Sequence, residues 1–107
     1  MMRWVFVLAL LAPLPAAAQR VAKIDGTKLM SLCGAADVKG CLAYMNGVAD
    51  AMAEEPKPRR ACIPPNVTAQ QLRDVVMKLL RDEPEKRGYP AAKITVHAFA
   101  KAFPCGK

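Results

Sequence analysis

Apolar residues recur at helical spacing through most of the chain, and the clearest case is the segment TAQQLRDVVMKLLRDEP. Thr68 is followed three positions later by Gln71, a pattern typical of a capping box at the start of a helix. Five apolar residues then form one stripe along the predicted helix: Leu72, Val75, Val76, Leu79 and Leu80. Because the residue before a proline avoids the helical conformation, Pro84 predicts that this helix ends near Asp82.

Two helices are predicted before this segment. The stretch GTKLMSLC predicts a short helix, and DVKGCLAYMNGVADAMAEEP predicts a longer one with Asp37 as its N-cap and Pro56 beyond its end. The apolar stripe of the longer helix consists of Cys41, Tyr44, Met45, Val48 and Met52.

The stretch YPAAKITVHAFAKAF predicts a last helix that is largely enclosed. Pro90 suits its first position, where the missing N–H is not needed. Apolar residues form two lines, one of Ala92, Val96, Phe99 and Phe103 and another of Ile94 and Ala98. His97 lies between these lines, which predicts a half-buried histidine. No segment alternates apolar and polar residues as a strand does, so we predict an all-α bundle of about four helices.

The N-terminal segment MMRWVFVLALLAPLPAAAQR has the pattern of a secretory signal peptide. Arg3 precedes an apolar run, and Ala16 and Ala18 occupy the small-residue positions before a cleavage site at Gln19. We therefore predict a signal peptide over residues 1–18 and one helical domain over residues 19–107. The apolar run is shorter than the ~20 residues of a membrane-spanning helix, and we predict no membrane span after cleavage.

Four cysteines are present: Cys33, Cys41, Cys62 and Cys105. Small exported domains commonly use disulfides to supplement a modest core. Four cysteines allow three connectivities, and the sequence alone does not choose among them. We favour Cys33–Cys41 with Cys62–Cys105, because this pairing joins neighbouring elements and fastens the C-terminus. By loop-closure entropy the short bridge would contribute ~2.6 kcal/mol and the long one ~4 kcal/mol.

Catalytic and metal sites are not predicted. The cysteines lack the paired CxxC spacing of zinc sites, and the single histidine, His97, provides no convincing base for a cysteine nucleophile. We expect no catalytic residue, no metal and no cofactor.

The net charge is +7, and removal of Arg3 with the signal peptide lowers it to +6. This charge favours an anionic partner, which would be an acidic protein, a wall polymer or lipid headgroups. Alternatively, the basic residues only keep a small domain soluble. Nucleic acid is not expected outside the cytoplasm, and an aromatic content of 6% offers no platform for stacking bases.

The segment CLAYMNGVADAM resembles the C-x-x-Y-x-x-G-x-x-D-A helix of the Rap/Tai-type immunity proteins. These are small exported helical proteins that neutralise peptidoglycan amidase toxins delivered by type VI secretion. CIPPNVTAQQL is similar to their Cys-x-Pro segment and the glutamine-bearing helix that follows. LLRDEPEKRGYPAAKITVHAFAKAFPC is similar to their L-x-x-x-P-E, P-A and terminal F-P-C pattern. The resemblance extends from Cys33 to Cys105.

The resemblance implies a non-enzymatic periplasmic protein that binds and inhibits a secreted amidase effector, with a homodimer as one expected assembly. Besides the cysteines, its motif residues are Tyr44, Gly47, Asp50, Pro64, Phe103 and Pro104. We expect these to have structural roles more than toxin contacts. Gly47 would let another backbone or ring approach closely, and Asp50 would cap or bond a neighbouring loop N–H.

An inhibitor of a cleft enzyme needs a rigid protruding element, and prolines in a loop reduce the ordering cost of binding. The proline-rich segment EEPKPRRACIPPN is therefore our first prediction for partner binding, through Lys57, Arg59 and Arg60. The second is RDEPEKRGYP, through Glu83, Glu85 and Lys86.

Two alternatives to immunity stay open on the sequence. One is a small periplasmic stress chaperone that exposes apolar surface when its carboxylates protonate, although two disulfides would restrain such opening. The other is an exported binding protein of different function that shares the fold.

Overall fold

The computed structural model describes residues 23–106. In this part of the chain there are four α-helices and no strand beyond one isolated bridge. The helices are α1 (Gly26–Cys33), α2 (Lys39–Ala53), α3 (Ala69–Asp82) and α4 (Ala91–Ala102), with a 3-10 turn at Pro84–Gly88 before α4. The all-α prediction is confirmed, whereas the predicted signal peptide lies outside the described residues.

Helix α3 begins and ends where the sequence predicts. The Gln71 backbone N–H donates to Thr68 Oγ1 over 3.2 Å, and the Thr68 backbone N–H donates to Gln71 Oε1 over 2.8 Å. Both halves of the capping box are therefore present, and the helix ends at Asp82. Four residues of the predicted stripe are buried and Val75 is half-buried; the buried ones are Leu72, Val76, Leu79 and Leu80.

The caps of α2 and α4 differ from prediction by one residue. Asp37 is not the N-cap of α2, because Val38 holds that position; the Asp37 carboxylate instead accepts the Lys39 backbone N–H at 3.0 Å. Pro90 is the N-cap of α4 and not its first helical residue. A shift of one residue is expected at helix ends, since short side chains satisfy free N–H groups from neighbouring positions.

Helix α1 has an N-cap that the sequence analysis missed. Asp25 Oδ1 accepts the Lys28 backbone N–H at 2.9 Å, which satisfies one of the free donors at the helix start.

Helix α4 buries most of the face that the sequence predicts, with Ala92 as the exception. Its buried residues are Ala91, Ile94, Thr95, Ala98 and Phe99. The helix itself satisfies the buried Thr95 hydroxyl, since its Oγ1 donates to the Ala91 carbonyl oxygen at 2.8 Å. Ala92 and His97 are exposed. The prediction of a half-buried His97 was wrong, because Thr95, which belongs to neither predicted apolar line, is buried on the side of the helix that faces the core.

Both disulfides have the favoured connectivity. Cys33–Cys41 joins the end of α1 to the first turn of α2, with 4.9 Å between the Cα atoms. Cys62–Cys105 joins the segment after α2 to the C-terminus. Beside it, the Cys62 backbone N–H donates to the Phe103 carbonyl oxygen at 2.8 Å. The chain end is therefore fastened covalently and by a backbone hydrogen bond.

The second predicted partner segment follows α3 and forms the 3-10 turn at Pro84–Gly88. Arg87 supports it, since its Nε donates to the Leu80 carbonyl oxygen at 3.0 Å. The chain then pairs with the residues before α1: Gly26 N–H donates to Tyr89 O at 3.0 Å, and Ala91 N–H donates to Ile24 O at 2.8 Å. This contact attaches the start of the described chain to the start of α4.

Gly26 occupies a position where no side chain fits. An added Cβ would lie 2.7 Å from Ile94 Cδ1, 2.8 Å from Arg87 Cα and 2.9 Å from the Arg87 carbonyl oxygen. Because two of these atoms are backbone, we expect Gly26→Ala to lower the free energy of unfolding by ~1–3 kcal/mol. Urea unfolding followed by circular dichroism measures this change.

Gly47 in α2 is the matched control, because an added Cβ there would have nothing within 4 Å. Gly47→Ala should raise the free energy of unfolding by ~0.5–1 kcal/mol through helix propensity alone. Equal shifts of the same sign in both variants would show that the contact at Gly26 does not matter.

No helix between residues 23 and 106 is long and apolar enough to cross a bilayer.

Candidate functional site

Residues 55–60 of the first predicted partner segment contain its three cations and are hereafter called the basic loop. It follows the end of α2, and the Glu55 backbone N–H still donates to the Met52 carbonyl oxygen at 3.2 Å. Within the loop, Arg60 Nε donates to Glu55 Oε2 at 3.1 Å, and the two side chains form an ion pair. This hydrogen-bonded pairing raises the pKa of Arg60 above its ordinary value. Arg60 therefore closes the loop on itself.

Lys57 and Arg59 are the cations that the basic loop displays. Both are exposed, and neither forms an ion pair with another residue of the described part of the chain. They line an open hollow of about 530 Å³ together with Pro58, Cys62 and Cys105.

The disulfide lies directly against the basic loop. Cys105 Sγ is 3.3 Å from the Arg59 carbonyl oxygen, a packing contact and not a hydrogen bond because a disulfide sulfur carries no proton. The Lys57–Pro58 peptide bond is cis. The loop is thus anchored by α2 at one end and by Cys62–Cys105 at the other.

The second predicted segment uses much of its charge inside the fold. Glu83 carboxylate oxygens lie 3.7 Å from Lys86 Nζ and 3.5 Å from Lys101 Nζ, which links the 3-10 turn to α4. Glu85 is exposed. Ion pairs at this exposure contribute only ~0–1 kcal/mol each. Of the three predicted residues, Glu85 alone has its charge outside these pairs.

Tyr89 and Lys93 are surface residues that the sequence analysis missed. Tyr89 is 44% exposed and is the one large hydrophobic residue on the described surface. Lys86 Nζ lies 5.6 Å and Lys93 Nζ 5.1 Å from the centroid of its ring. Exposed cation–π contacts contribute ~0.5–1 kcal/mol. The signal in the sequence was the position of the two lysines, three residues before and four residues after Tyr89. Pro90 obscured this signal, because it interrupts the helical pattern between Tyr89 and Lys93.

An open groove of about 860 Å³, hereafter the Tyr44 groove, lies where the residues before α1 meet the start of α4. Its lining residues are Lys23, Ile24, Asp25, Lys28, Tyr44, Gly88, Pro90 and Ala92. Tyr44 is half-buried. Burial raises the pKa of its phenol, and a side-chain hydrogen bond with Thr95 opposes part of that rise. Tyr44 therefore connects the core to a solvent-facing groove.

The other motif residues of α2 lie on the surface. Gly47 and Asp50 are exposed, and nothing would approach a Cβ at Gly47 within 4 Å. The close approach expected at Gly47 was therefore wrong. Residues three apart on a helix differ in direction by about 60° around the axis. Asp50 lies three such steps after Cys41, so it points to the opposite side of the helix. The motif residues therefore run from a buried position at Cys41 to exposed positions at Gly47 and Asp50.

The C-terminal motif residues behave as structural elements. Phe103 is half-buried against the core, and its carbonyl oxygen accepts the Cys62 N–H. The Pro64 carbonyl oxygen accepts the Val67 N–H at 3.2 Å in the turn before α3. Pro104 is exposed.

Between residues 23 and 106, no cluster of three or more histidine, cysteine or acidic residues is placed to hold a metal ion. All four cysteines are in disulfides. What the described surface offers is a set of binding features: two displayed cations on an anchored loop, an aromatic ring between lysines, and an open apolar groove.

A family model described as Rap1a immunity proteins matches residues 25–105. The chain belongs to the Rap1a immunity protein family. The match contains all four helices and both disulfides, so it coincides with the folded unit. Searches of curated proteins and of solved structures gave no significant match.

Rap1a membership confirms the resemblance seen in the sequence and supports an immunity role. An immunity protein acts by binding a secreted effector, and the family is normally non-enzymatic. Together with the two disulfides, membership indicates an exported protein.

Proposed function

We propose that this Rap1a protein binds a secreted peptidoglycan amidase in the periplasm and keeps it inactive. The observation that carries the proposal is the family match over residues 25–105, since it covers every described helix. The type of toxin comes from the resemblance of the cysteine and proline motifs to Rap/Tai-type immunity proteins. The periplasm fits a chain with two disulfides and a predicted signal peptide.

The basic loop is our candidate for the element that blocks the toxin. It displays Lys57 and Arg59, and it is anchored by α2 and by Cys62–Cys105. A loop held in one conformation loses little entropy when it enters a cleft. The homodimer implied by the resemblance stays a prediction.

The stress-chaperone alternative has less support. A chaperone that acts by opening would need to separate its helices, and Cys33–Cys41 joins α1 to α2 covalently. Membership in an immunity family also favours the first proposal.

Periplasmic co-expression tests the proposed function. Each candidate amidase encoded near this gene is exported in a bacterial host, with and without this protein, and lysis is followed by culture turbidity. We expect one amidase to lyse the host only when this protein is missing, and purified protein to stop its hydrolysis of peptidoglycan at equal molar amounts. Undiminished hydrolysis by every candidate in the presence of excess protein would refute the proposal.

Reversing the charge of the basic loop should weaken binding of the amidase. We expect Lys57→Glu with Arg59→Glu to raise the dissociation constant at least about tenfold, mainly by slowing association, because displayed charges steer encounter. Surface plasmon resonance measures the association and dissociation rates separately. A second salt concentration shows whether the change in association rate is electrostatic.

Lys39→Glu with Arg81→Glu is the control, since it changes the net charge equally at exposed positions outside the loop. Lys39 begins α2, whose length separates it from the basic loop by about 20 Å. Equal weakening by both double variants would show that only net charge matters and that the loop has no special part.

A further inference from the structure

A second surface of the protein combines apolar and positively charged groups. It consists of the Tyr44 groove and the adjoining Tyr89 and Lys93, and we call it the Tyr89 surface. Tyr89 lies between two lining residues of the groove, Gly88 and Pro90. Its ring holds Lys93 at 5.1 Å, so this ammonium group is positioned beside the groove.

The charges of the Tyr89 surface are mainly positive. Lys23, Lys28 and Lys93 are exposed, and none of them forms an ion pair within residues 23–106. Asp25 also lines the groove, but its carboxylate accepts the Lys28 backbone N–H and is engaged in capping α1. Lys86 Nζ, which also lies over the Tyr89 ring, is 3.7 Å from Glu83 Oε1 and forms an ion pair with it. Three lysines therefore outweigh one engaged carboxylate.

The floor of the groove is suited to apolar side chains. Ile24, Tyr44, Pro90 and Ala92 contribute its apolar lining. A volume of about 860 Å³ is within the ~300–1,000 Å³ of typical ligand sites. Because the groove is open along its side, it fits a surface segment of a protein better than an enclosed small molecule.

Other occupants fit this surface less well. A second copy of the chain would bring lysines against lysines, which is unfavourable. A bilayer requires apolar side chains that protrude, whereas this groove is concave and Tyr89 is the one large hydrophobic residue exposed in the described region. The residues that precede Lys23 in the predicted mature chain, 19–22, include Arg20 and no acid, so their charge does not complement the groove.

We propose that the Tyr89 surface binds an acidic segment with aliphatic side chains on the effector protein, in addition to contact by the basic loop. The proposal rests on the proposed function, because the segment is assigned to the effector. Carboxylates would meet Lys28 and Lys93, and aliphatic groups would cover Tyr44 and Pro90. Tyr44 precedes the end of α2 by nine residues, about 14 Å, so the two contacts lie at separate places on the molecule.

The first test needs no effector. The oxidised protein is labelled with ¹⁵N and titrated with a short synthetic peptide of alternating glutamate and valine, blocked at both ends. We expect saturable amide shifts at Lys28, Tyr44 and residues 88–93, and little change at residues 57–60. A glutamate–serine peptide should bind more weakly, because it leaves the apolar floor uncovered.

Variants of exposed residues give the second measurement. Lys28→Glu with Lys93→Glu should raise the dissociation constant for the glutamate–valine peptide about tenfold. Tyr89→Ser should also weaken binding, whereas Tyr89→Phe should retain it because the ring remains. Lys57→Glu with Arg59→Glu should leave the peptide affinity within about twofold of the unchanged protein.

Several results would overturn the proposal. These are shifts centred on the basic loop, shifts spread over all lysines, no saturation at millimolar peptide, or tighter binding to phosphatidylglycerol vesicles or heparin than to the peptide. The co-expression assay then separates this proposal from the proposed function. If Lys28→Glu with Lys93→Glu protects the host as well as the unchanged protein does, immunity stands and the Tyr89 surface does not bind the effector.

Discussion

Phe99→Ala is expected to lower the free energy of unfolding by about 3–4 kcal/mol. Phe99 is fully buried and heads the fully buried side chains by volume. Its removal leaves a cavity in the buried core on α4, a helix that contacts α1, α2 and α3. Met45 and Met52 belong to the same buried cluster, and flexible methionines help a core to close around lost volume, so we expect a loss below the upper limit for such changes. A small domain has a stability of only ~5–15 kcal/mol, so the loss is large.

Urea unfolding of the oxidised protein, followed by circular dichroism, measures this loss. Val96→Ala is the matched control, because Val96 lies on the same helix and is only half-buried. It should cost about 1 kcal/mol or less, in line with the smaller area removed from contact. If the two variants differ by less than the error of the extrapolation, the packing around Phe99 is not what stabilises the fold.

Removing the Cys62–Cys105 bridge should have an effect of the same size. We expect Cys62→Ala with Cys105→Ala to lower the free energy of unfolding by ~4 kcal/mol, because the unfolded chain regains the freedom of a long loop. The two cysteines are 43 residues apart. Cys33 and Cys41 are only 8 apart, so Cys33→Ala with Cys41→Ala should cost less, ~2.6 kcal/mol by the same argument.

Denaturant unfolding of both double variants beside the parent protein compares the two bridges. The reverse order of losses would mean that native packing of the buried Cys33–Cys41 pair outweighs loop length. Under the proposed function, loss of Cys62–Cys105 should also weaken binding of the amidase beyond the effect of reduced stability, since this bridge anchors the basic loop. Binding measured well below the unfolding midpoint, where both proteins are folded, isolates that contribution.

The two proposed contact surfaces differ in how visible they were in the sequence. The basic loop was predicted because prolines and cations are adjacent in the chain. In the structure Arg60 pairs with Glu55, whereas Lys57 and Arg59 form no ion pair within residues 23–106 and are the cations that we propose for contact. The Tyr89 surface was not predicted, because its parts come from three separate stretches: residues 23–28, Tyr44 and residues 88–93.

The sequence by itself determined the four helices, the capping box of α3 and the family. These depend on residues a few positions apart, whose interactions form within one helix turn or one motif. The favoured disulfide pairing also proved right, although the sequence left three connectivities open.

Tertiary structure alone decided that Thr95 and not Ala92 is buried on α4, how residues 24–26 pair with residues 89–91, and where the Tyr44 groove lies. Periodicity placed His97 between two apolar lines, but in the packed helix Thr95 is buried with its hydroxyl bonded to the Ala91 carbonyl oxygen, and His97 is exposed. Gly26 likewise has a role that local sequence does not reveal. Its lack of a side chain matters only because Arg87 and Ile94, which are more than 60 residues later in the chain, pack against it. Contacts between distant residues depend on how the helices pack, and local patterns do not encode that packing.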